Sequence, residues 1–370
     1  MNRYMTIFTA LVIGTYLIAL FSRAVPLHRL NTFRKPLPNP IGFLVPAVAF
    51  AVFSGLRNTL GDTEMYMLSY RMMDMDTMEP VPFMLSGGTF YNFLQYRLHM
   101  ITDEPYMLIM VTAIFAVVPV IYILYKYAWP YELAIAFFVL TSYYTFSMNG
   151  IRQYAAAGML LLGTKYLFSE KKIDFFKFLF FIFLAWLWHS SAIFMIPLYF
   201  IVRRRAWTPF TLLLLGGTVV LTLAFDTVLP AFLDVLEDTD YNIYAENGWF
   251  TSGVTGGSSI LRVVILIVPL VMAFLARERM YALHGHKWEI LVNLSIINLA
   301  FYILSLYNWI FARFAVYTGV YVIIMMSYLI QDGYSEEGQV SIFYPVSLAL
   351  YCVYFYNVGY SVTTYASVFF

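Results

Sequence analysis

The chain has few charged residues and almost no cysteine. Of its 370 residues, 12% are charged and 61% are hydrophobic, with a mean hydropathy of +0.73. A soluble domain is typically about a quarter charged and about half apolar, so this lack of charge excludes an ordinary soluble protein. The single cysteine, Cys352, excludes a disulfide framework and a CxxC metal site. Because it lies in an apolar run, we expect it to be a small buried hydrophobe.

The sequence also lacks a block of basic residues. Its 22 Lys and Arg are balanced by 21 Asp and Glu, and no basic tail indicates nucleic-acid binding. The five histidines are dispersed, so no cluster at ligand spacing predicts a metal ion, and we predict no cofactor. Aromatic residues, in contrast, are abundant at 19%, which suits membrane interfaces and the walls of a polar cavity.

Apolar runs long enough to cross a bilayer recur along the chain. A spanning helix needs about 20 mostly apolar residues. The candidate runs are 4–21, 41–56, 106–125, 131–148, 151–168, 209–229, 260–276, 288–307, 310–329 and 340–360. We therefore predict an all-α polytopic membrane protein in which residues 1–370 form a single transmembrane domain.

The run 175–202 decides the topology. It is too long for one straight span and is interrupted at 188–191 (WHSS), so a long tilted span and a hairpin of two short helices are both compatible with it. Four lysines between 165 and 177 precede it and Arg203–Arg205 follow it, and basic clusters belong on the cytoplasmic side. The chain must then enter the membrane from the cytoplasmic side at the start of this run and return to the same side at its end. This gives about 12 spans with both termini exoplasmic, and it puts 15 of the 22 basic residues inside.

Under this topology every basic residue on the outer side is an arginine. The seven are Arg3, Arg57, Arg71, Arg97, Arg152, Arg262 and Arg313. Arginine keeps its charge when buried and presents a planar fork that binds phosphate oxygens. Four of the seven lie at predicted helix ends, where an unpaired cation is costly: Arg57, Arg152, Arg262 and Arg313. Each arginine could pair with a nearby carboxylate. Binding of all four to one anionic ligand better explains why all four lie at helix ends.

Arg152 has the most informative context. It follows Asn149 and Gly150 at the start of a predicted helix, with Gln153 next and a run of small residues beyond. The free N–H groups of a helix N-terminus carry partial positive charge and suit a phosphate. The small residues allow close packing of neighbouring helices.

The predicted exoplasmic loop 57–104 contains Asp62, five residues after Arg57. A carboxylate beside an anion-binding arginine can act as a general base. Alternatively, Asp62 or Thr63 caps a short helix that runs through Tyr70. Further on, residues 90–101 have the spacing of an amphipathic helix in the outer interface. The other long outer loop, 230–259, has acidic residues but no Lys or Arg.

His189, at the break in the run 175–202, has two interpretations. It could act as a base or bind a phosphate oxygen. Alternatively, its imidazole only satisfies backbone groups that the break leaves without partners.

These residues together resemble the EpsG family of exopolysaccharide polymerases, which is related in role to the Wzy O-antigen polymerases. The matching pieces are GLR at 55–57, GDT at 61–63 with Tyr66, NGIRQ at 149–153, WHSS at 188–191, IPLY at 196–199 and ARF at 312–314. Their order and spacing fit the family across most of the chain.

The resemblance implies transfer of a growing glycan from undecaprenyl diphosphate onto the next lipid-linked unit. The reaction would occur at the outer face of a bacterial cytoplasmic membrane, in a multispan architecture similar to the GT-C glycosyltransferases. On this basis, our hypothesis assigns Arg57, Arg152, Arg313 and Arg262 to the carrier diphosphate. Asp62 or His189 would deprotonate the acceptor hydroxyl, with Tyr66, Asn149 and Gln153 in support.

The expected partners are the lipid-linked oligosaccharide and the bilayer, with a flippase and a chain-length regulator as further candidates. Two other classes stay open. One is an O-antigen ligase-like enzyme or a membrane acyltransferase, which would use a similar outer His and Arg. The other is a polysaccharide transporter or flippase, in which intramembrane charges line a pathway.

Overall fold

The computed structural model describes residues 3–74, 81–229, 257–334, 337–358 and 364–369, and these ranges are helical with no β-strand. The helices are α1 (Arg3–Ala24), α2 (Ile41–Gly55), α3 (Thr63–Arg71), α4 (Thr89–His99), α5 (Tyr106–Tyr127), α6 (Tyr131–Leu140), α7 (Tyr143–Phe146), α8 (Ile151–Leu161), α9 (Thr164–Leu167), α10 (Asp174–Trp188), α11 (Met195–Val202), α12 (Pro209–Leu223), α13 (Ile260–Leu275), α14 (Arg277–His284), α15 (His286–Leu304), α16 (Gly319–Asp332) and α17 (Glu337–Val358). Two 3-10 helices join α10 to α11 and α15 to α16. We name them the first (Ser190–Phe194) and second (Trp309–Tyr317) 3-10 segments. The predicted all-α class is confirmed for the described ranges.

Four helices in the described ranges are long and apolar enough to cross a membrane: α1, α5, α15 and the part of α17 from Gln339. Two pairs of consecutive helices pass the same test when each pair is counted as one span. They are α13 with α14, bent by 75°, and the second 3-10 segment with α16, bent by 64°. This gives four to six candidate spans by length and composition. With the high hydropathy, they point to a polytopic membrane protein.

The candidate spans divide into inner and peripheral helices. The apolar window of α15 is 78% buried and that of α5 is 61% buried, whereas α1 and the C-terminal helix are 22% and 11% buried. All ten residues of α6 are also buried, although roughly 15 Å of helix is too short to cross a bilayer. On α17, Cys352 is exposed. Our prediction of a buried cysteine was therefore wrong, because its apolar run faces outward from the periphery.

The helix α1 defines two ends of the molecule. At its start, the Tyr4 hydroxyl donates to the carbonyl of Ser367 at 3.0 Å, so both chain termini lie together. At its other end, Arg23 pairs with Glu132 at 2.7 Å. A helix of 22 residues is roughly 33 Å long, about the thickness of the bilayer hydrocarbon. We call the end beside Tyr4 and Ser367 the terminal end. We call the end beside Arg23 and Glu132 the lysine end, since Lys35 and its partner Asp332 also lie there.

The run 175–202 forms a hairpin. The rings of Phe175 and Phe200 lie 5.1 Å apart, and those of Phe178 and Tyr199 lie 5.5 Å apart. A continuous helix would separate Phe175 from Phe200 by roughly 37 Å. The predicted return of this segment is therefore confirmed, with the break at His189.

Several other predicted spans are divided, and two of the breaks bear on the site. The run 131–148 ends as a helix at Leu140, because Ser142 takes a left-handed conformation with φ 67°. The run 310–329 is bent at Thr318, where the second 3-10 segment gives way to α16. Both breaks lie beside the site described next.

Candidate functional site

The candidate site is built around one turn, residues 146–153, which we name the central turn. Gly150 has a φ of 61°, a left-handed conformation that favours glycine, and α8 begins directly after it. The turn contains three residues that the sequence motif singled out, Asn149, Arg152 and Gln153. The other predicted site segments reach this turn from four separate parts of the chain.

Arg57 reaches the turn from the end of α2 and is fully buried, with 0% exposure. Its Nη2 donates to the Met148 carbonyl at 2.9 Å, its Nε to Thr63 Oγ1 at 2.8 Å, and its Nη1 to Ser54 Oγ at 3.0 Å and to the Ser54 carbonyl. Burial lowers the pKa of the Arg57 guanidinium to about 10, so it stays charged at neutral pH. Arg57 thus joins α2, α3 and the central turn, with most of its donors already used.

Asp62 is tied to the turn through its backbone. Its N–H donates to Asn149 Oδ1 at 3.2 Å, and α3 begins at the next residue, Thr63. The predicted short helix through Tyr70 is therefore present. Asp62 occupies the N-cap position, but its carboxylate makes no capping hydrogen bond, so the capping alternative is wrong for this side chain. The half-buried carboxylate is left available for another role.

Arg152 lies on the side of the central turn that faces α4. Its guanidinium carbon is 4.8 Å from the centre of the Tyr91 ring, and the Tyr66 ring lies 6.0 Å from Tyr91. Its Nε is buried and has no hydrogen-bond partner among the described residues. Gly88, with a φ of 77°, makes room for the side chain, because a Cβ there would lie 2.6 Å from Arg152 Nη2.

Arg262 and Arg313 line a cleft of about 370 Å³ on the other side of the turn. Arg262 lies 4.3 Å from the centre of the Phe146 ring, and Arg313 lies 4.8 Å from the Trp309 ring. Ser259 caps α13 by accepting the Leu261 N–H, which sets Arg262 in the first turn of that helix. Asn149, Gly150 and Gln153 also line the cleft.

Gln153 links the turn to both 3-10 segments. Its Nε2 donates to the Arg313 carbonyl at 2.9 Å and to Ser191 Oγ at 3.2 Å, and its side chain is 3% exposed. Ser191 Oγ lies 2.8 Å from both His189 Nδ1 and the Tyr317 hydroxyl. Gln153 therefore fixes the backbone beside Arg313 and connects it to His189.

His189 has the architectural role that the sequence left open as one of its interpretations. Its Nδ1 accepts the Ser191 N–H at 3.3 Å and so caps the first 3-10 segment. Asn308 caps the second segment in the same way, accepting the Ile310 N–H at 3.0 Å. With Nδ1 accepting, a neutral imidazole carries its proton on Nε2. In that state His189 can donate to a phosphate oxygen but is a poor proton acceptor.

The charges at the two ends differ. At the lysine end, Arg23 pairs with Glu132 and Lys35 pairs with Asp332, although other cations there, such as Arg205, have no ion pair among the described residues. Within the described ranges, no ion pair includes Arg57, Arg152 or Arg262. Aromatic faces attract such cations only weakly, and a desolvated cation without a counter-ion is costly. The site end therefore carries positive charge that an anionic ligand would balance.

The structure thus brings the predicted residues together, but in three environments. Arg57 is buried and acts as a clamp that holds α2, α3 and the central turn together. Arg152 lies under Tyr91, and Arg262 and Arg313 share the cleft. Sequence reasoning missed the aromatic partners Phe146, Tyr91 and Trp309. The 72 Phe, Tyr and Trp side chains carry no spacing signal that would single these positions out.

Two further predictions concern the segments 90–101 and 230–259. The predicted amphipathic segment 90–101 is helical as α4. Most of the acidic loop 230–259 lies outside the described residues, although Gly257, Ser258 and Ser259 line the cleft. In the described part of the chain, no group of three or more His, Cys, Asp and Glu side chains is arranged to hold a metal ion.

Comparison with known proteins gives one match. A model of the EpsG family matches residues 41–367. No curated protein and no solved structure matches the chain. The matched range is most of the chain and contains every candidate site residue from Arg57 to Arg313.

Proposed function

The chain belongs to the EpsG family, the family of Wzy-type polysaccharide polymerases, and we propose that it polymerises lipid-linked oligosaccharide repeat units. The donor is the growing glycan on undecaprenyl diphosphate, and the acceptor is the next lipid-linked unit. A flippase would deliver these units, and a chain-length regulator would limit the product. The convergence of four separate chain segments on the central turn is the observation that carries this proposal.

We propose that the terminal end faces the exterior of a bacterial cytoplasmic membrane. Basic residues favour the cytoplasmic side, and Lys35 and Lys287 lie at the lysine end. The hairpin over 175–202 supports about 12 crossings, some of them made by short or broken helices, in a GT-C-like arrangement. Both termini are then exoplasmic, at the same end as the site.

The chemistry is a displacement at the anomeric carbon of the donor glycan. An acceptor hydroxyl oxygen forms the new glycosidic bond, the bond from the anomeric carbon to the phosphate oxygen breaks, and the lipid diphosphate leaves with the electron pair. Arg262 and Arg313 bind and neutralise the diphosphate in the cleft, and Arg152 adds charge from the other side of the turn. Arg57 positions the turn without touching substrate.

The proton of the acceptor hydroxyl goes to Asp62 in this scheme. Its carboxylate is not used in capping α3, and Asn149 links its backbone to the cleft. His189 is the weaker candidate for the base because its Nδ1 already accepts the Ser191 N–H. It instead fixes the first 3-10 segment through Ser191, which also accepts from Gln153. Tyr66 lines the approach beside Tyr91.

The test compares polymer length in a deletion strain that expresses single variants at equal protein levels. Arg262→Lys and Arg313→Lys should accumulate single lipid-linked units, since loss of one oxyanion donor lowers a rate by about 10²–10³-fold. The control is Arg97→Lys, because Arg97 is exposed and contacts only Phe93 and Met100 among the described residues. Chains of normal length in both cleft variants would refute the proposal. Long chains that fail to attach to a terminal acceptor would instead indicate a ligase.

A further inference from the structure

A second cavity, of about 400 Å³, lies at the lysine end, between the loop before α12, the helix α14 and the start of α15. The loop before α12 is fixed from α15, where Asn293 Nδ2 donates to the Arg204 carbonyl at 2.7 Å and Glu289 accepts the Ala206 N–H. The cavity is therefore built by defined contacts. It is separate from the cleft at the terminal end.

Two arginines and one tryptophan line this cavity. Arg205 lies 5.6 Å from the centre of the Tyr281 ring, and no ion pair among the described residues includes it. Arg277 packs on Phe274 at 4.5 Å and contacts Glu278 only loosely, at 3.5 Å. Trp207 Nε1 is buried and has no hydrogen-bond partner in the described part of the chain. The two arginines form a recognition surface for a phosphate.

The backbone at Trp207 is strained. Its φ is 58°, in the left-handed region that bulky residues rarely occupy. Such conformations persist where the surroundings impose them, and they cluster at ligand sites. Here the strained residue carries the unpartnered indole N–H into the cavity wall.

Two carboxylates line the same cavity, so its formal charge is balanced. Glu289 is 8% exposed and Glu278 is largely exposed, against the two cations Arg205 and Arg277. A purely anionic ligand would meet repulsion from the carboxylates. A zwitterion that carries a phosphate and an ammonium group would satisfy both sets of charges.

The outer faces of the flanking helices are apolar. Leu212 and Leu213 on α12 are 71% and 72% exposed, and Leu275 at the end of α13 is 68% exposed. The helix α14 turns by 75° from α13 and crosses this end of the bundle. Acyl chains can therefore lie along α12 and α13 while a headgroup enters the cavity.

We propose that this cavity binds the headgroup of a phospholipid that carries a primary ammonium, as in phosphatidylethanolamine. The phosphodiester accepts hydrogen bonds from Arg205 and Arg277. The ammonium donates to Glu278 and Glu289. This site concerns membrane anchoring of the protein and does not depend on the polymerase reaction.

The test uses the purified, delipidated full chain in detergent and follows its thermal midpoint. Phosphatidylethanolamine should raise the midpoint, since a ligand that binds only the folded state stabilises it. Phosphatidylcholine should have little effect because its quaternary ammonium has no N–H to donate. Phosphatidylglycerol, at equal concentration, should act more weakly than phosphatidylethanolamine. Equal shifts by all three lipids would overturn the proposal, as would a full shift with inorganic phosphate alone.

Single substitutions test whether the lipid headgroup binds in this cavity. Arg205→Gln should weaken the apparent affinity for phosphatidylethanolamine by about tenfold, the effect of losing one charge-assisted hydrogen bond. Arg204→Gln is the matched control, because Arg204 is the adjacent arginine but does not line the cavity. If Arg204→Gln weakens binding as much as Arg205→Gln, the effect is general surface charge and the site is refuted.

Discussion

Replacement of Arg57 by lysine distinguishes a structural clamp from a substrate-binding arginine. The guanidinium reaches Ser54, Thr63 and Met148 in different directions, and a single ammonium can keep only one of these partners. Two lost charge-assisted hydrogen bonds at about 1.5 kcal/mol each lower the free energy of unfolding by about 3 kcal/mol. This is a large share of the roughly 5–15 kcal/mol that stabilises a typical domain.

The assay is thermal unfolding of the purified Arg57→Lys protein, followed by size-exclusion chromatography of a fluorescent fusion. We expect a midpoint several degrees below that of the unmodified protein and a smaller amount in the membrane. Arg152→Lys is the matched control. It should unfold at the normal midpoint, because Arg152 Nε has no hydrogen-bond partner among the described residues to lose. A normal midpoint for Arg57→Lys together with weakened substrate binding would refute the clamp.

Three more substitutions test other contacts of the central turn. Gly88→Ala should shift Arg152, since the new Cβ would lie 2.6 Å from its Nη2, and shorten the polymer in cells at normal protein level; unchanged length would contradict this contact. Gln153→Met should lower both thermal stability and turnover, because it removes the donor to the Arg313 carbonyl; unchanged turnover would show that this link does not position Arg313. Asp62→Asn should abolish polymerisation by purified protein while substrate binding persists, and retained activity would exclude Asp62 as the base.

The fold class and the hairpin could be predicted from the sequence because both depend on simple physical rules. Apolar length predicts membrane helices, and the basic residues on both sides of 175–202 predict that the segment returns. Breaks inside an apolar run carry no comparable signal. The left-handed Ser142 and the bend at Thr318 are imposed by tertiary packing around the central turn, which local composition does not reveal.

The site was predicted in part. Helix-end arginines without obvious partners drew attention to residues that the structure places around one turn, since a desolvated cation needs compensation. The sequence could not separate Arg57 from the others, because its partners are mostly backbone carbonyls and hydroxyls, which every sequence contains. It also could not choose Tyr91 and Trp309 among so many aromatic residues.

The most direct test of the account supplies purified protein with lipid-linked repeat units and separates the products by length on a gel. The unmodified protein should produce a ladder of glycans on the lipid carrier. The double variant Arg262→Lys/Arg313→Lys, at an unchanged thermal midpoint, should leave single units. A full ladder from the double variant, or none from the unmodified protein, would contradict the claim that arginines at the central turn bind the carrier diphosphate during polymerisation.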